Sequence, residues 1–177
     1  MFYPGALVAP EAYAPLCRNI SAGGSKVLLI KMPWRLAKNG YNKPKELNLF
    51  QDRSKKYILA GHSQGAKMAA QFVYENPTLF SKLILIATTH PRDIDLSKLL
   101  IPVLKISGTR DGVAGMKDVL NNKPKLPPGT KYVSIEGANH AQFGYYGFQL
   151  GDNKAGISRQ QQQQATVNTI LSFINTP

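Results

Sequence analysis

Cysteine, histidine and acidic side chains are scarce in this chain, and long apolar runs are missing altogether. Cys17 is the only cysteine, so no disulfide can close within the chain and a cysteine-based zinc framework is excluded. Its helical surroundings carry no motif that would stabilise a thiolate, so a buried structural thiol is expected. The three histidines, His62, His90 and His140, stand apart in the sequence. A metal site therefore has little support, and no diffusible cofactor is implied. No apolar stretch approaches the roughly 20 residues that cross a bilayer. No basic segment precedes an apolar one as in a secretory leader. A membrane span is not expected, the cytoplasm is the default compartment, and nothing sets an oligomeric state.

Acidic residues number 10 against 22 lysines and arginines, a formal charge of +12. Such an excess suits a nucleic acid or an anionic surface. The basic residues are spread thinly from Lys31 to Lys131, however, with no arginine-rich helix and no aromatic RNA-binding strand. Nucleic acid is not an expected partner, and a basic solvated surface is the reading of the charge.

What is present is the composition of one globular domain over residues 1–177, 43% hydrophobic. Short apolar runs recur at Met1 to Tyr3, Val27 to Lys31, Tyr57 to Gly61, Lys82 to Ala87, Val103 to Gly108 and Tyr132 to Ile135. Runs such as Leu83-Ile84-Leu85-Ile86 are apolar at consecutive positions, the mark of strands covered on both faces. Helical patterns lie between and after them, at Ala12 to Ala22, Gln64 to Asn76, Gly115 to Asn121 and Arg159 to Asn175. The alternation predicts an α/β fold, a doubly wound and mainly parallel sheet of about six strands flanked by helices. Gln160 to Gln164 reads as the exposed start of the last, amphipathic helix.

Gly61-His62-Ser63-Gln64-Gly65 follows an apolar strand and opens a helix. Strand, sharp turn and helix is the setting in which Gly-x-Ser-x-Gly becomes a nucleophile elbow, with Ser63 exposed at the turn. The glycines leave room for a strained backbone, and the helix N-terminus favours developing negative charge at Ser63. The serine needs a base. His62 adjoins it and reads as a packing residue leaving the other side of the turn. His140 and His90 both follow strands, and chain order favours His140. The acid that fixes the base's tautomer reads as Asp111, with Asp93 and Asp95 as rivals. Asp111 also suits a plain turn, because Asp-Gly is common turn chemistry. Oxyanion donors are expected from the Gln64 backbone N–H and from the loop Pro4-Gly5-Ala6-Leu7, at Ala6 or its neighbour Gly5. Tyr145, Tyr146 and Phe148 follow His140 and either wall the acyl or alcohol site or pack the loop.

Gly-His-Ser-Gln-Gly, Ser-Gly-Thr-Arg-Asp-Gly and Gly-Ala-Asn-His-Ala-Gln-Phe-Gly, in this order, resemble the α/β-hydrolase superfamily. The compact branch related to dienelactone-hydrolase-like esterases is the most similar, and the opening Phe-Tyr-Pro-Gly-Ala-Leu-Val matches its oxyanion loop. The resemblance spans essentially the whole chain. It implies a triad of Ser63, Asp111 and His140, with the Ala6 and Gln64 amides as the oxyanion hole. It further implies a serine hydrolase that cleaves a small carboxylic ester or related acyl compound. Alternatives are an acyltransferase on the same triad, or a non-catalytic binding protein on a hydrolase scaffold. The family's usual two strands ahead of the oxyanion loop are not in this sequence, so the expected domain is either N-terminally minimal or lacks an N-terminal piece. No long insertion separates the runs at Leu83 and Val103, so the expected site is lidless, open and shallow.

Overall fold

The computed structural model describes residues 1–176. Five parallel strands make one sheet, in the order β1 (Phe2–Tyr3), β2 (Ile58–His62), β3 (Lys82–Ile86), β4 (Val103–Gly108) and β5 (Lys131–Ile135). Phe2 lies opposite Ala60, Ala60 opposite Ile84, and Ile84 opposite Leu104.

Consecutive apolar residues serve opposite faces, because strand side chains alternate. Leu83 and Leu85 pack under α3 (Gln64–Glu75), against Ala66, Ala69, Phe72 and Val73. Ile84 and Ile86 pack on the other face, against α1 (Ala14–Ala22) and α5 (Arg159–Asn175), through Leu16, Ile20, Val167 and Ile170. Each of these buried aliphatic side chains contributes about 1.5–3 kcal/mol. Cys17 belongs to this second core, and burial pushes its thiol up to about 11. The helix read from Ala12 starts as a single 3₁₀ turn, Pro10–Tyr13, before α1 proper, whose Pro15 lies in the first turn. Two short helices, α2 (Lys43–Glu46) and α4 (Met116–Asn121), sit in connections. Among the described residues, no helix is long and apolar enough to cross a membrane.

The sixth strand is not formed. The run at Val27 to Lys31 contributes one bridge, between Leu29 and Phe2. Pro4 and Gly5 end β1 after two residues, so its outer edge offers only the Leu28 carbonyl and Ile30 amide contacts to Phe2. That bridge still sets the topology. From β1 the chain crosses to Leu29 on one side, then returns to β2 on the other. The winding therefore reverses at β1, and an open α/β sheet binds ligands outside the carboxyl ends of its strands at such a reversal.

Lys105, at the centre of β4, interrupts the apolar run and is 1% exposed. Its ammonium donates to the His90 carbonyl, and burial pulls its pKa down to about 7. Nearby His90 is pulled down to about 4, first by burial and then by Lys67 and Arg92, with Asp93 opposing. An unfolded lysine protonates near its ordinary value of about 10.4. Stability contributed by the neutral amine is therefore present at high pH and is lost as pH falls towards 7, on the order of 4 kcal/mol in all. Lys105→Met should raise the melting temperature at neutral pH by several degrees. It should also flatten the dependence of that temperature on alkaline pH. Thermal melts of both proteins across this range check it, and an unchanged slope would place the effect on another group.

Candidate active site

Ser63 follows β2 and caps α3 with φ 54° and ψ −120°, a conformation that side chains rarely adopt. Such strain amounts to roughly 1–3 kcal/mol and persists only where the surroundings fix it. Here its amide donates to the Ile86 carbonyl at 2.9 Å, and its own carbonyl accepts from the Lys67 amide at 3.0 Å. The flanking glycines are sterically required. A Cβ on Gly65 would lie 2.1 Å from the Tyr3 carbonyl oxygen, and one on Gly61 2.5 Å from the Gly65 backbone. The turn thus works only because α3, β1 and β2 approach one another without side chains between them.

His140 follows β5 and Asp111 follows β4, so both reach the sheet edge where Ser63 leaves it. His140 Nδ1 lies 2.9 Å from Asp111 Oδ2 and 3.1 Å from Oδ1, with both side chains buried. Oδ1 also accepts from the Val113 and Ala114 amides at 2.9 and 2.7 Å. Asp111 is therefore turn former and histidine partner at once, where the sequence set the two roles against each other. An acceptor on Nδ1 puts the neutral ring's proton there and leaves Nε2 able to accept one. Among the described residues, no hydrogen bond joins the Ser63 hydroxyl to this ring. Such contacts tighten when substrate is bound.

The remaining candidates go elsewhere. His90 is buried, takes a 3.3 Å contact from its amide to Thr88 Oγ1, and offers its carbonyl to Lys105. Asp93 pairs with Lys67 at 3.5 Å, and Asp95 accepts from the Ser97 amide at 2.8 Å. His62 packs, as expected, but against His140 itself: the ring centroids of the two are 4.6 Å apart. Burial holds the His62 imidazole well below its ordinary range, and His140 adds to that. Its Nδ1 lies 2.7 Å from the Tyr13 hydroxyl, which accepts the Gly5 amide at 3.1 Å. The Gly5 N–H is thereby occupied. Among the described residues, the Ala6 and Gln64 amides donate to no protein acceptor. Of the two oxyanion-loop choices, Ala6 is the one left available.

Two supports have no counterpart in the sequence reading. Asp152 lies on an irregular loop, and its carboxylate gathers the neighbouring turns. Oδ1 accepts from the Gly112 and His140 amides, each at 3.1 Å, and Oδ2 from the Ala141 amide at 2.8 Å. The glutamine tract is the second. Its exposed-face reading is wrong at two of five positions, since Gln162 and Gln163 are buried. The Gln162 amide both accepts from and donates to the Asn139 backbone, at 3.1 and 2.7 Å, pairing as a strand neighbour does. Gln163 Nε2 donates to the Gln142 carbonyl at 2.6 Å. A side chain with one donor and one acceptor can thus fix the turn that presents His140.

A cleft of about 700 Å³ opens beside the site, lined by Ala6, Leu7, Arg35, Tyr145, Tyr146 and Phe148 among others. It meets the catalytic edge through Ala6 rather than through Ser63. No helix lies between β3 and β4, and no residue of that connection lines the cleft. Among the described residues, no cluster of three His, Cys, Asp or Glu side chains could hold a metal ion.

The model of the alpha/beta hydrolase family matches residues 1–164. No curated protein matches the chain. Among solved structures, Est1E from Butyrivibrio proteoclasticus, with ferulic acid bound, shares 14% identity at a TM-score of 0.72, over 99% of this chain and 88% of that one. A monoacylglycerol lipase of Paleococcus ferrophilus shares 12% at 0.71, over 97% and 93%. SOBER1 of Arabidopsis thaliana shares 13% at 0.68, over 98% and 95%. At these identities the likeness is one of fold.

Proposed function

Since the chain belongs to the alpha/beta hydrolase family, we propose that it is a serine hydrolase cleaving a carboxylic ester through an acyl-enzyme. One observation carries the reading: a buried His140 ring held by both Asp111 oxygens at the edge where Ser63 turns out of the sheet. In the proposed mechanism, His140 Nε2 takes the Ser63 proton as Oγ attacks the ester carbonyl. The Ala6 and Gln64 amides receive the oxyanion, and the alcohol leaves with the proton from His140. Water, activated in turn by His140, then releases the acid.

A fluorophosphonate probe tests this directly. The wild-type chain should label and Ser63→Ala should not; labelling that survives the substitution would move the nucleophile elsewhere.

Tyr13 should matter through Gly5. Tyr13→Phe leaves the buried Gly5 N–H and His62 Nδ1 unpaired, a loss of roughly 1–3 kcal/mol each at most. Because the loop's donor acts on charge that develops in the transition state, kcat should fall about tenfold while KM changes little. Steady-state kinetics on a soluble ester, with melts alongside, check the split.

A further inference from the structure

Three non-glycine residues have left-handed backbone here: Leu7 (φ 60°) and Arg35 (φ 55°), which line the cleft, and Trp34 (φ 54°), which precedes Arg35 in the chain. The Leu7 amide donates to the Arg35 carbonyl at 2.8 Å, tying their two loops together. Strain of this kind collects where a ligand is held. Here its effect is to turn large apolar side chains outward: Leu7 is 69% and Trp34 85% exposed. Phe148, which shares the cleft wall with Leu7 and Arg35, is also 85% exposed. Folded chains rarely leave several such groups uncovered at one mouth without a partner for them.

The charges around the rim say which partner. Arg35 lines the cleft, and Arg159 stands over the Tyr145 ring at 5.5 Å while donating to the Tyr146 carbonyl at 2.8 Å. Two acids, Glu11 and Asp152, face three cations, Lys31, Arg35 and Arg159. Glu11 pairs with Lys31 at 3.3 Å, and the Asp152 carboxylate accepts four backbone amides. Apolar side chains flanked by an excess of cations match a lipid surface, with the rings at the headgroup boundary and the cations against anionic lipid. A second copy of the chain is the poorer occupant, since each carries +12 and repels its like.

We propose that the rim formed by Leu7, Trp34 and Phe148 docks the mouth of the cleft onto an anionic lipid surface. Trp34 is the only tryptophan, so its emission reports docking directly. The experiment uses the Ser63→Ala chain, which reads binding without turnover, on phosphatidylcholine vesicles with and without phosphatidylglycerol. A blue shift and co-sedimentation are expected only with phosphatidylglycerol, and both should weaken as salt screens the charges. Arg35→Gln should bind about fivefold more weakly. Trp34→Ala, followed by co-sedimentation, should bind roughly tenfold more weakly. Lys45→Gln, whose lysine bonds Asn76 at the far end of α3, removes the same charge and should leave binding unchanged. Melts confirm that each variant is folded. Equal binding to both vesicles, an equal loss in Lys45→Gln, or no shift would overturn the proposal. So would a dimer that shields Trp34 without lipid. Vesicle binding that fails while the wild-type chain hydrolyses soluble esters counts against docking alone, not against the esterase reading.

Discussion

Replacing Ser63 by alanine should reduce kcat/KM for p-nitrophenyl acetate by about 10⁴–10⁶-fold, leaving only what the oxyanion amides and binding supply. The fold should survive, because the strained backbone at this position is held by the Ile86 and Lys67 contacts and by the glycines around it, not by the hydroxyl. Alanine in place of serine should even melt at a similar temperature. His140→Ala should be nearly as damaging, and the double variant little worse than either, since the members of a triad act as a unit. Additive losses in the double variant would mean that serine and histidine serve different steps. Undiminished turnover in Ser63→Ala would remove the proposed nucleophile altogether.

Asp111→Asn should lower kcat by about 10⁴-fold, through the tautomer of the base. The asparagine oxygen can still accept the Val113 and Ala114 amides, so the turn after β4 should hold. Its amide nitrogen would then face His140 Nδ1, which could no longer donate there. The ring would carry its proton on Nε2, the atom that must receive one from Ser63. Activity should fall with only a small change in melting temperature, and KM should move little. Asp93→Asn and Asp95→Asn alter a surface ion pair and a local turn, and both should retain nearly full rate. A crippling effect from either would reassign the acid.

The doubly wound sheet was legible because β3 reads apolar at four consecutive positions, Leu83 to Ile86, which only a strand covered on both faces tolerates. The elbow was legible because steric demand at Gly61 and Gly65 leaves a local trace in the sequence. Where side chains act across long separations, no trace exists. Asp152 reaches His140 from a loop twelve residues on, and Gln162 reaches Asn139 from twenty-three. A glutamine run looks solvated whichever of its members happens to face inward. Lys105 sits in an apolar run as a residue that pattern reading passes over, although its burial shifts its titration. The sixth strand failed for the opposite reason. Its composition was right, but the two-residue β1 gave it too little edge to pair with.

The side chains that hold His140 have a consequence for how the molecule ages under stress. The backbone of the His140 turn is secured from outside the sheet, by Asp152 on an irregular loop and by Gln162 in the opening turns of α5. Segments of that kind open at a fraction of the free energy that a packed sheet requires. Warming or mild denaturant would therefore release the His140 turn while the core beneath α3 is intact. Inactivation and unfolding should then separate in this chain, the first governed by the contacts around the His140 turn, the second by the apolar layers. A sample can then lose its rate while its circular dichroism stays native, and recover that rate on cooling without refolding.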